Sequence, residues 1–522
     1  MNIGSEMQEI SSNNKRIAKN TLLLYFRMLV TMAVSLYTSR VVLNILGVED
    51  FGIYNVVGGI VAMFGFINGS MTSATQRYLT FELGQNNRTQ LTKVFSTSLS
   101  IHAIISFLII VLAETVGLWF LWNKMQIPAD RMNAAFWVFQ CSVAASVIMI
   151  MSVPYNAAII AHERMSAFAY ISIIEVSLKL LIVCFLRYFH TDKLILYAAL
   201  IVIVQLVIRL CYSWYCNRHF KETKYRWIWD KTLFCEMTGF AGWNLFGNLA
   251  AITFTQGLNL LLNMFFGPVV NAARGIAVQA QTAIGQFSSN FQTALNPQIT
   301  KSYATGDMEY MHGLIFRSAK FSFFLLLLLS LPVLIETKAL LTLWLKIVPD
   351  HTVVFLRIML CTTWVYAVSN PLITAASATG KIKLYQSVVG GLLLLILPIS
   401  YLCLRFGLPA YSVFIVHLVI EITAQFARLL MLKRMIKLSL REYFSKVVWC
   451  IFKVTAIALA VPQAVIYCHP QHGVWNLLMV CLVCTLSTSI SIYYFGLTSG
   501  EKTFISSKIS VILARLKPKT KD

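Results

Sequence analysis

Arg27 and Arg274 stand in stretches that are otherwise apolar enough to cross a bilayer, and they share their helical faces with hydroxyls and carboxamides. A guanidinium is permanently charged and expensive to insert into a bilayer, so in such a setting it is a functional candidate. From Gly242 to Tyr303, Arg274 is accompanied by Asn244, Asn248, Thr255, Asn259, Asn263, Asn271, Gln281, Gln292 and Asn296. Each such group left unpaired in hydrocarbon costs roughly several kcal/mol, so these side chains must face other helices or a water-filled cavity. Arg40 and Arg77 lie near the ends of their apolar stretches, where a long side chain reaching the interface explains them equally well. The candidate ligand contacts are therefore Arg27, Arg40, Arg77, Asn244, Asn248, Asn259, Asn263, Asn271, Arg274, Gln281 and Gln292.

The elements that must position them are helices. At ~100° per residue, Asn244, Asn248, Thr255, Asn259 and Asn263 fall on one face of a first helix, and Asn271, Arg274, Gln281, Ser288, Gln292 and Asn296 form a stripe on a second. Gly267-Pro268 joins the two. The opposite face of the second helix is apolar: Ile276, Ala280, Ala283, Phe287, Phe291 and Leu295. Arg27 shares an arc of ~80° with Thr31, Ser35 and Thr38 on the first apolar stretch.

Of 522 residues, 58% are hydrophobic and 12% charged, and apolar runs follow one another from Thr21 to Gly496. This is the composition of an all-α polytopic membrane protein, with about 14 spans by the ~20-residue criterion. The net charge of +22 is concentrated in alternate loops, at Arg218 to Lys231, Lys433 to Lys446 and Lys508 to Lys521, so it reads as topology rather than nucleic-acid binding. That pattern places these loops and both termini in the cytoplasm, with a retained signal anchor after the polar first twenty residues. The expected order is a cytoplasmic N-terminus (1–20), an N-lobe of six spans (21–218), a basic cytoplasmic linker (219–232), a C-lobe of six spans (233–433), two further spans (434–496) and a basic cytoplasmic tail (497–522). The tail from Ser506 to Lys517 reads as an amphipathic segment resting on membrane lipid. Trp119, Trp122, Trp344, Trp214, Trp227 and Trp449 sit at span ends as interfacial anchors. The 11 cysteines are scattered, and Cys481-x-x-Cys484 lies in an apolar helix without His or acidic partners, which argues against a metal or redox centre.

An internal repeat links the Gly267 hairpin to the first one. The offset 267 − 47 = 220 pairs Gly47 with Gly267 and also superposes Gly65 on Gly285, Ser35 on Thr255, Ala74 on Ala294 and Gln76 on Asn296. Six intervening spans make the repeats parallel, which predicts two six-helix bundles with a ligand site between them, plus two C-terminal helices. Glu175 and Lys179 are four residues apart and read as a neutralised pair. Glu421, Gln425 and Arg428 form a comparable stripe. Pro154, Ser369-Asn370-Pro371 and Pro398 are expected kinks, and His102 and His417 read as isolated packing residues.

No Gly-x-x-x-x-Gly-Lys-Ser/Thr motif is present, no outer loop is long enough for a glycosyltransferase or polymerase site, and no Ser, His and acid set suggests hydrolysis. A transporter without cofactor, and not an enzyme, fits best. The motif Arg40, then Leu46-Gly47-x-Glu49-Asp50-Phe51-Gly52-x-Tyr54, followed by Ala74-Thr75-Gln76-Arg77-Tyr78, resembles the polysaccharide-export branch of the multidrug/oligosaccharidyl-lipid/polysaccharide (MOP) exporter superfamily, and Wzx-type O-antigen flippases in particular. The likeness extends over nearly the whole chain. It implies a bacterial inner-membrane flippase that turns an undecaprenyl-pyrophosphate-linked oligosaccharide from the inner to the outer leaflet, with basic cavity residues on the anionic head, alongside other polysaccharide-assembly membrane proteins. The alternatives are a multidrug cation antiporter of the same superfamily, which calls for cavity acids, and a membrane-embedded polysaccharide polymerase or ligase, which calls for catalytic residues in a sizeable outer loop.

Overall fold

The computed structural model describes residues 3–62, 65–123, 125, 127–189, 191–226, 228, 230–345, 348–468 and 474–503. Trp227, the segment Ser506–Lys517 and the side chains of Arg40 and Asn271 lie outside the described residues. The chain is all-α, with no strand among the described residues. In order come α1 (Ile3–Ala62), α2 (Gly65–Gly84), α3 (Arg88–Leu112), α4 (Leu118–Asn123), α5 (Met132–Ala161), α6 (Met165–Leu186), α7 (Lys193–His219), α8 (Lys231–Phe266) and α9 (Pro268–Thr305). Then follow α10 (Met308–Ile335), α11 (Thr337–Leu345), α12 (Thr352–Ala378), α13 (Lys383–Leu394), α14 (Ile396–Arg405), α15 (Ser412–Met435), α16 (Leu440–Tyr443), α17 (Trp449–Cys468) and α18 (Val474–Ser491).

Eleven helical segments among the described residues are long and apolar enough to cross a membrane, so the protein is a multi-pass membrane protein. The expectation of about 14 crossings adds to these the hairpin of α1 and α2 and the helix α9. Short polar residues start the helices: Asn87 caps α3, Asp192 caps α7 and Asp230 and Asp307 accept from the first turns of α8 and α10. Glycine breaks them. Gly47 interrupts α1 at φ +81°, and its repeat counterpart Gly267 separates α8 from α9 at φ +77°; both are left-handed angles that a Cβ would strain. Of the expected kinks, Pro154 and Pro371 lie inside the continuous helices α5 and α12. Pro398 lies in the first turn of α14, and the helix breaks just ahead of it at Leu395, as expected when a ring displaces the carbonyl four residues earlier, here Leu394.

The helices gather into two units. Unit 1 holds Met1–Thr253, Thr293–Met311 and Thr374–Gly391, and unit 2 holds Phe254–Gln292, His312–Ile373 and Leu392–Asp522. In unit 1, Phe95, Tyr155, Tyr212, Cys216 and Phe240 belong to a core of buried residues from α1, α2, α3, α5, α6, α7 and α8. A smaller cluster joins Leu24, Ile160 and Met165 to Ala294 of α9. In unit 2, one core runs through Leu258, Leu262, Ala273, Ala277, Phe355 and Phe414. A second packs Phe324, Leu327 and Leu331 of α10 against Val454 and Ala458 of α17 and Val480 and Cys484 of α18. Cys484 is thus a packing residue, and no group of metal-ligating side chains occurs among the described residues.

One end of unit 1 is tied by a polar clamp. Arg131, just ahead of α5, bonds Asp50 through Nε at 2.8 Å and Nη2 at 2.5 Å, and Asp192 through Nη1 at 2.8 Å. Asp50 belongs to the Glu49-Asp50-Phe51-Gly52 motif, so its carboxylate holds the α1 turn to the starts of α5 and α7. Partial burial works to raise the Asp192 carboxyl, but Arg131 and the backbone N–H groups of Ile195 and Leu194 outweigh it and hold it below its usual value.

Candidate functional site

The α8–α9 hairpin places Arg274 where the sequence puts it, and the side chain is 6% exposed. Its Nη1 donates to Asn259 Oδ1 and its Nη2 to the Thr255 carbonyl at 2.9 Å. Thr255 is 12 residues before Gly267 and Arg274 seven after it, about 18 Å and about 10 Å along their helices. The guanidinium therefore points away from the hairpin end, deeper into the apolar span, and does not snorkel outward. Nε of Arg274 is buried and donates to no atom of the described residues. Among the described residues no carboxylate forms an ion pair with it.

The rest of the unit 2 stripe ties helices together. Gln281 Nε2 donates to the Met359 carbonyl at 3.1 Å and to Thr363 Oγ1 at 2.8 Å, both on α12. Gln292 Nε2 donates to Ser322 Oγ on α10 at 3.1 Å and to the Ala367 carbonyl on α12 at 2.9 Å. These amides act as interhelical bonds in an apolar setting. Asn263 is exposed, near the hairpin end.

A second polar network lies on α15. Glu421 Oε1 accepts from Arg428 Nη1 at 2.7 Å, with both side chains at most 5% exposed. Arg428 Nη1 also reaches Ser369 Oγ at 3.2 Å, Ser369 donates to Gln425 Oε1 at 2.6 Å, and Gln425 Nε2 donates to Tyr443 Oη at 3.2 Å. The Ser369-Asn370-Pro371 stretch thus supplies a polar partner inside a continuous helix. His417 is not isolated: its ring centroid lies 4.8 Å from that of Phe254, and Arg274 and Glu421 both act on it electrostatically. The i, i+4 and i+11 spacing of His417, Glu421 and Arg428 explains this, since all three share one helical face. His102 does match its reading as a packing residue, bonding through Nδ1 to the Ser98 carbonyl at 2.7 Å.

In unit 1, Asn244 Oδ1 accepts from Gln386 at 2.9 Å, and Asn248 donates to Ser70 Oγ on α2 at 2.9 Å. Arg27 is half-buried with its guanidinium carbon 4.4 Å from the centre of the Phe168 ring, a cation–π contact. Its Nε donates to no atom of the described residues, and Glu175 acts on it electrostatically. Glu175 is otherwise engaged, accepting from Lys179 at 2.7 Å and Gln205 at 3.3 Å. Arg77 lies over the rings of Tyr78 and Phe81 and donates through Nη2 to the Ala378 carbonyl at 3.0 Å. It approaches Gly380 so closely that a Cβ there would lie 2.7 Å from its Nη2.

The structure thus joins Asn259 to Arg274, sets Asn244, Asn248, Gln281, Gln292 and Arg77 in separate interhelical bonds, and leaves Arg27 against Phe168 and Asn263 exposed. Sequence reasoning missed three polar residues with dense contacts: Arg131, Asp192 and Glu163. Each sits in a short charged turn, where isolated charges read as solvated, and its partners lie far away in sequence. Only the position of Asp192 just before an apolar run, a helix-capping signal, could have drawn attention to one of them.

No family model and no characterised protein matches the chain. Solved structures do. A multidrug resistance MATE family transporter of the MOP superfamily, in an outward-facing conformation, aligns with a TM-score of 0.70 and 13% identity over 81% of this chain and 96% of its own. The Vibrio cholerae MATE transporter VcmN in the bent form gives 0.67 and 17% over 82% and 98%. A MOP superfamily transporter from Pyrococcus furiosus, described by the reverse polarity of its binding pocket, gives 0.68 and 13% over 81% and 96%. At these identities the likeness is one of fold: the chain has the fold of MOP superfamily transporters, and the substrate has to be argued from its own residues.

Proposed function

We propose that this chain is an exporter working by alternating access between an N-lobe (21–218) and a C-lobe (233–433), and that it turns an undecaprenyl-pyrophosphate-linked oligosaccharide from the inner to the outer leaflet of a bacterial inner membrane for surface polysaccharide synthesis. The observation that carries this reading is Arg274. A buried cation, aimed toward the middle of the span, partnered by an amide and a carbonyl, with its Nε donor unused among the described residues, is what an anionic head would complete. Arg27, with its own unused Nε donor, is the matching candidate in unit 1. The carboxamides and hydroxyls around them suit hydroxyl-rich sugars, while the lipid tail stays in the bilayer. In the orientation set by the basic loops, outward movement of an anion is downhill in an inside-negative potential by roughly 2.3 kcal/mol per charge per 100 mV.

A multidrug cation antiporter on the same fold would need acids free to meet a cation. Here Glu421 is bound by Arg428 and Glu175 by Lys179. Two experiments test the proposal. Surface polysaccharide restored in a strain lacking this protein, normalised to membrane protein level, should fall more than about tenfold with Arg274→Ala or Arg274→Glu and less with Arg274→Lys, which keeps the charge but not the fork. Full restoration by Arg274→Ala would remove it from the mechanism. Single cysteines placed in the 219–232 linker should resist an impermeant thiol reagent in intact cells; labelling from outside would reverse the orientation and the direction of transport.

A further inference from the structure

The turn between α5 and α6 carries Glu163, whose carboxylate is 1% exposed although it stands in a three-residue connection. Four groups from distant parts of unit 1 converge on it. Gln298 Nε2 and Lys301 Nζ, three residues apart on one face of α9, donate at 2.6 Å each; Arg16 Nε of α1 donates at 2.8 Å; and Asn20 Nδ2 bonds the Glu163 carbonyl at 3.2 Å. The backbone at Glu163 is left-handed, φ +58°, a conformation glycine adopts freely and a residue with a side chain does not.

The internal repeat sharpens this. The turn between α12 and α13 is the counterpart of the α5–α6 turn, at an offset of 380 − 163 = 217, and it places Gly380 at φ +75°. Where one copy uses glycine, the other keeps glutamate and engages its side chain fully. The second turn also receives a basic residue from across the repeat: Arg77, at the foot of α2, bonds the Ala378 carbonyl. So the foot of α9 is pinned to the α5–α6 turn, and the foot of α2 to the α12–α13 turn. Between the two pins the feet touch, since a Cβ on Gly84 would lie 2.8 Å from Ala304 Cβ.

We infer that Glu163 and Arg77 are the two pins of a latch that holds this end of the transporter shut, and that Glu163 is the stronger because it is bound by charge. The inference deepens the alternating-access reading and rests on it: an inward-open state requires the feet of α2 and α9 to part, which breaks both pins. The buried carboxylate makes the closed state specific, because the three donors that converge on it, Arg16, Gln298 and Lys301, compensate it there.

Spin labels at the exposed positions Gln85 and Thr305 report the separation of the two feet in full-length protein reconstituted into nanodiscs, by pulsed electron–electron distance measurement. The unsubstituted latch should give a predominantly short distance. Glu163→Gln should raise the long-distance population by at least about tenfold, as expected when a buried charge contact is lost. Lys301→Met leaves Glu163 with Arg16 and Gln298, so it folds and should give a smaller rise. Glu163→Gly relieves the backbone and removes the carboxylate together, and it should open the latch as Glu163→Gln does. Distributions superimposable on the parent in Glu163→Gln, Glu163→Gly and Lys301→Met would overturn the latch. No substrate is added, so the outcome is independent of which cargo is carried; restoration of surface polysaccharide judges that separately.

Discussion

Arg428 and Arg274 belong to the same unit, both are nearly fully buried, and they are opposite in chemistry. Arg428 is neutralised by Glu421 seven residues away on its own helix, and Ser369, Gln425 and Tyr443 extend the bonding around it. Arg274 has Asn259 and the Thr255 carbonyl and, among the described residues, no acid. Arg131, in unit 1, completes a series with two carboxylates, Asp50 and Asp192. A charge buried in a low dielectric is tolerated when something compensates it. Where the protein supplies the acid, the arginine is held as part of the frame; where it supplies only dipoles, as at Arg274, our proposal has a ligand bring the compensating charge. The acids around Arg428 and Arg274 therefore distinguish the two more sharply than burial does, since both are nearly fully buried.

The largest effect should come from breaking Arg428's pair. Glu421→Gln alone leaves a buried guanidinium uncompensated and should destabilise the detergent-purified protein by roughly 3–5 kcal/mol, while Glu421→Gln combined with Arg428→Met should recover most of the loss in thermal unfolding followed by tryptophan fluorescence. A double variant as unstable as the single one would show that the network matters beyond its charge. Next, Arg274→Met should leave unfolding within about 1 kcal/mol of the parent, since no acid is orphaned, even as polysaccharide display collapses. Parallel losses of stability and display would place Arg274 with Arg428 and end the contrast. Arg131→Lys, which cannot bond two carboxylates at once, should cost about 1 kcal/mol, a modest figure because the clamp is partly exposed.

The smallest effect is a pH dependence confined to the clamp. The Asp192 carboxyl is held below its usual value, so its contribution is fully present above the ordinary carboxylate pKa and is lost as pH falls through the lower folded one. Thermal stability should be flat in this respect near neutrality and decline in strong acid, and Asp192→Asn should remove that part of the decline. An unchanged acid profile in Asp192→Asn would mean that the clamp contributes nothing through this group.

Most of the fold was legible because membrane insertion writes itself into composition: apolar runs of fixed length, basic loops and glycine hinges. The offset of 220 residues, read from a handful of matches, falls on two left-handed glycines, Gly47 and Gly267. The stripe on α9 was equally plain as a stripe. What the sequence did not reveal was who answers whom. Gln281 and Gln292 bond α12 and α10, partners 30 to 82 residues away, and nothing local distinguishes such an amide from one that faces water. His417 read as solitary because its neighbours on the face, Glu421 and Arg428, were counted as another stripe. Glu163 was invisible for the opposite reason, being a charged residue in a short turn whose partners lie up to 147 residues away, 163 − 16 = 147.

The left-handed break at Gly47 also bears on how the chain is made. With φ +81° reversing the path and helix resuming at once, the two arms of α1 have no connecting loop in which one could rest on the far side while the other awaits synthesis. An extended arm would strand unpaired backbone in hydrocarbon. The first two crossings are therefore expected to enter the bilayer as one hairpin, and the offset of 220 residues extends that expectation to α8 and α9, where Arg274 of one arm is bonded to Asn259 and the Thr255 carbonyl of the other.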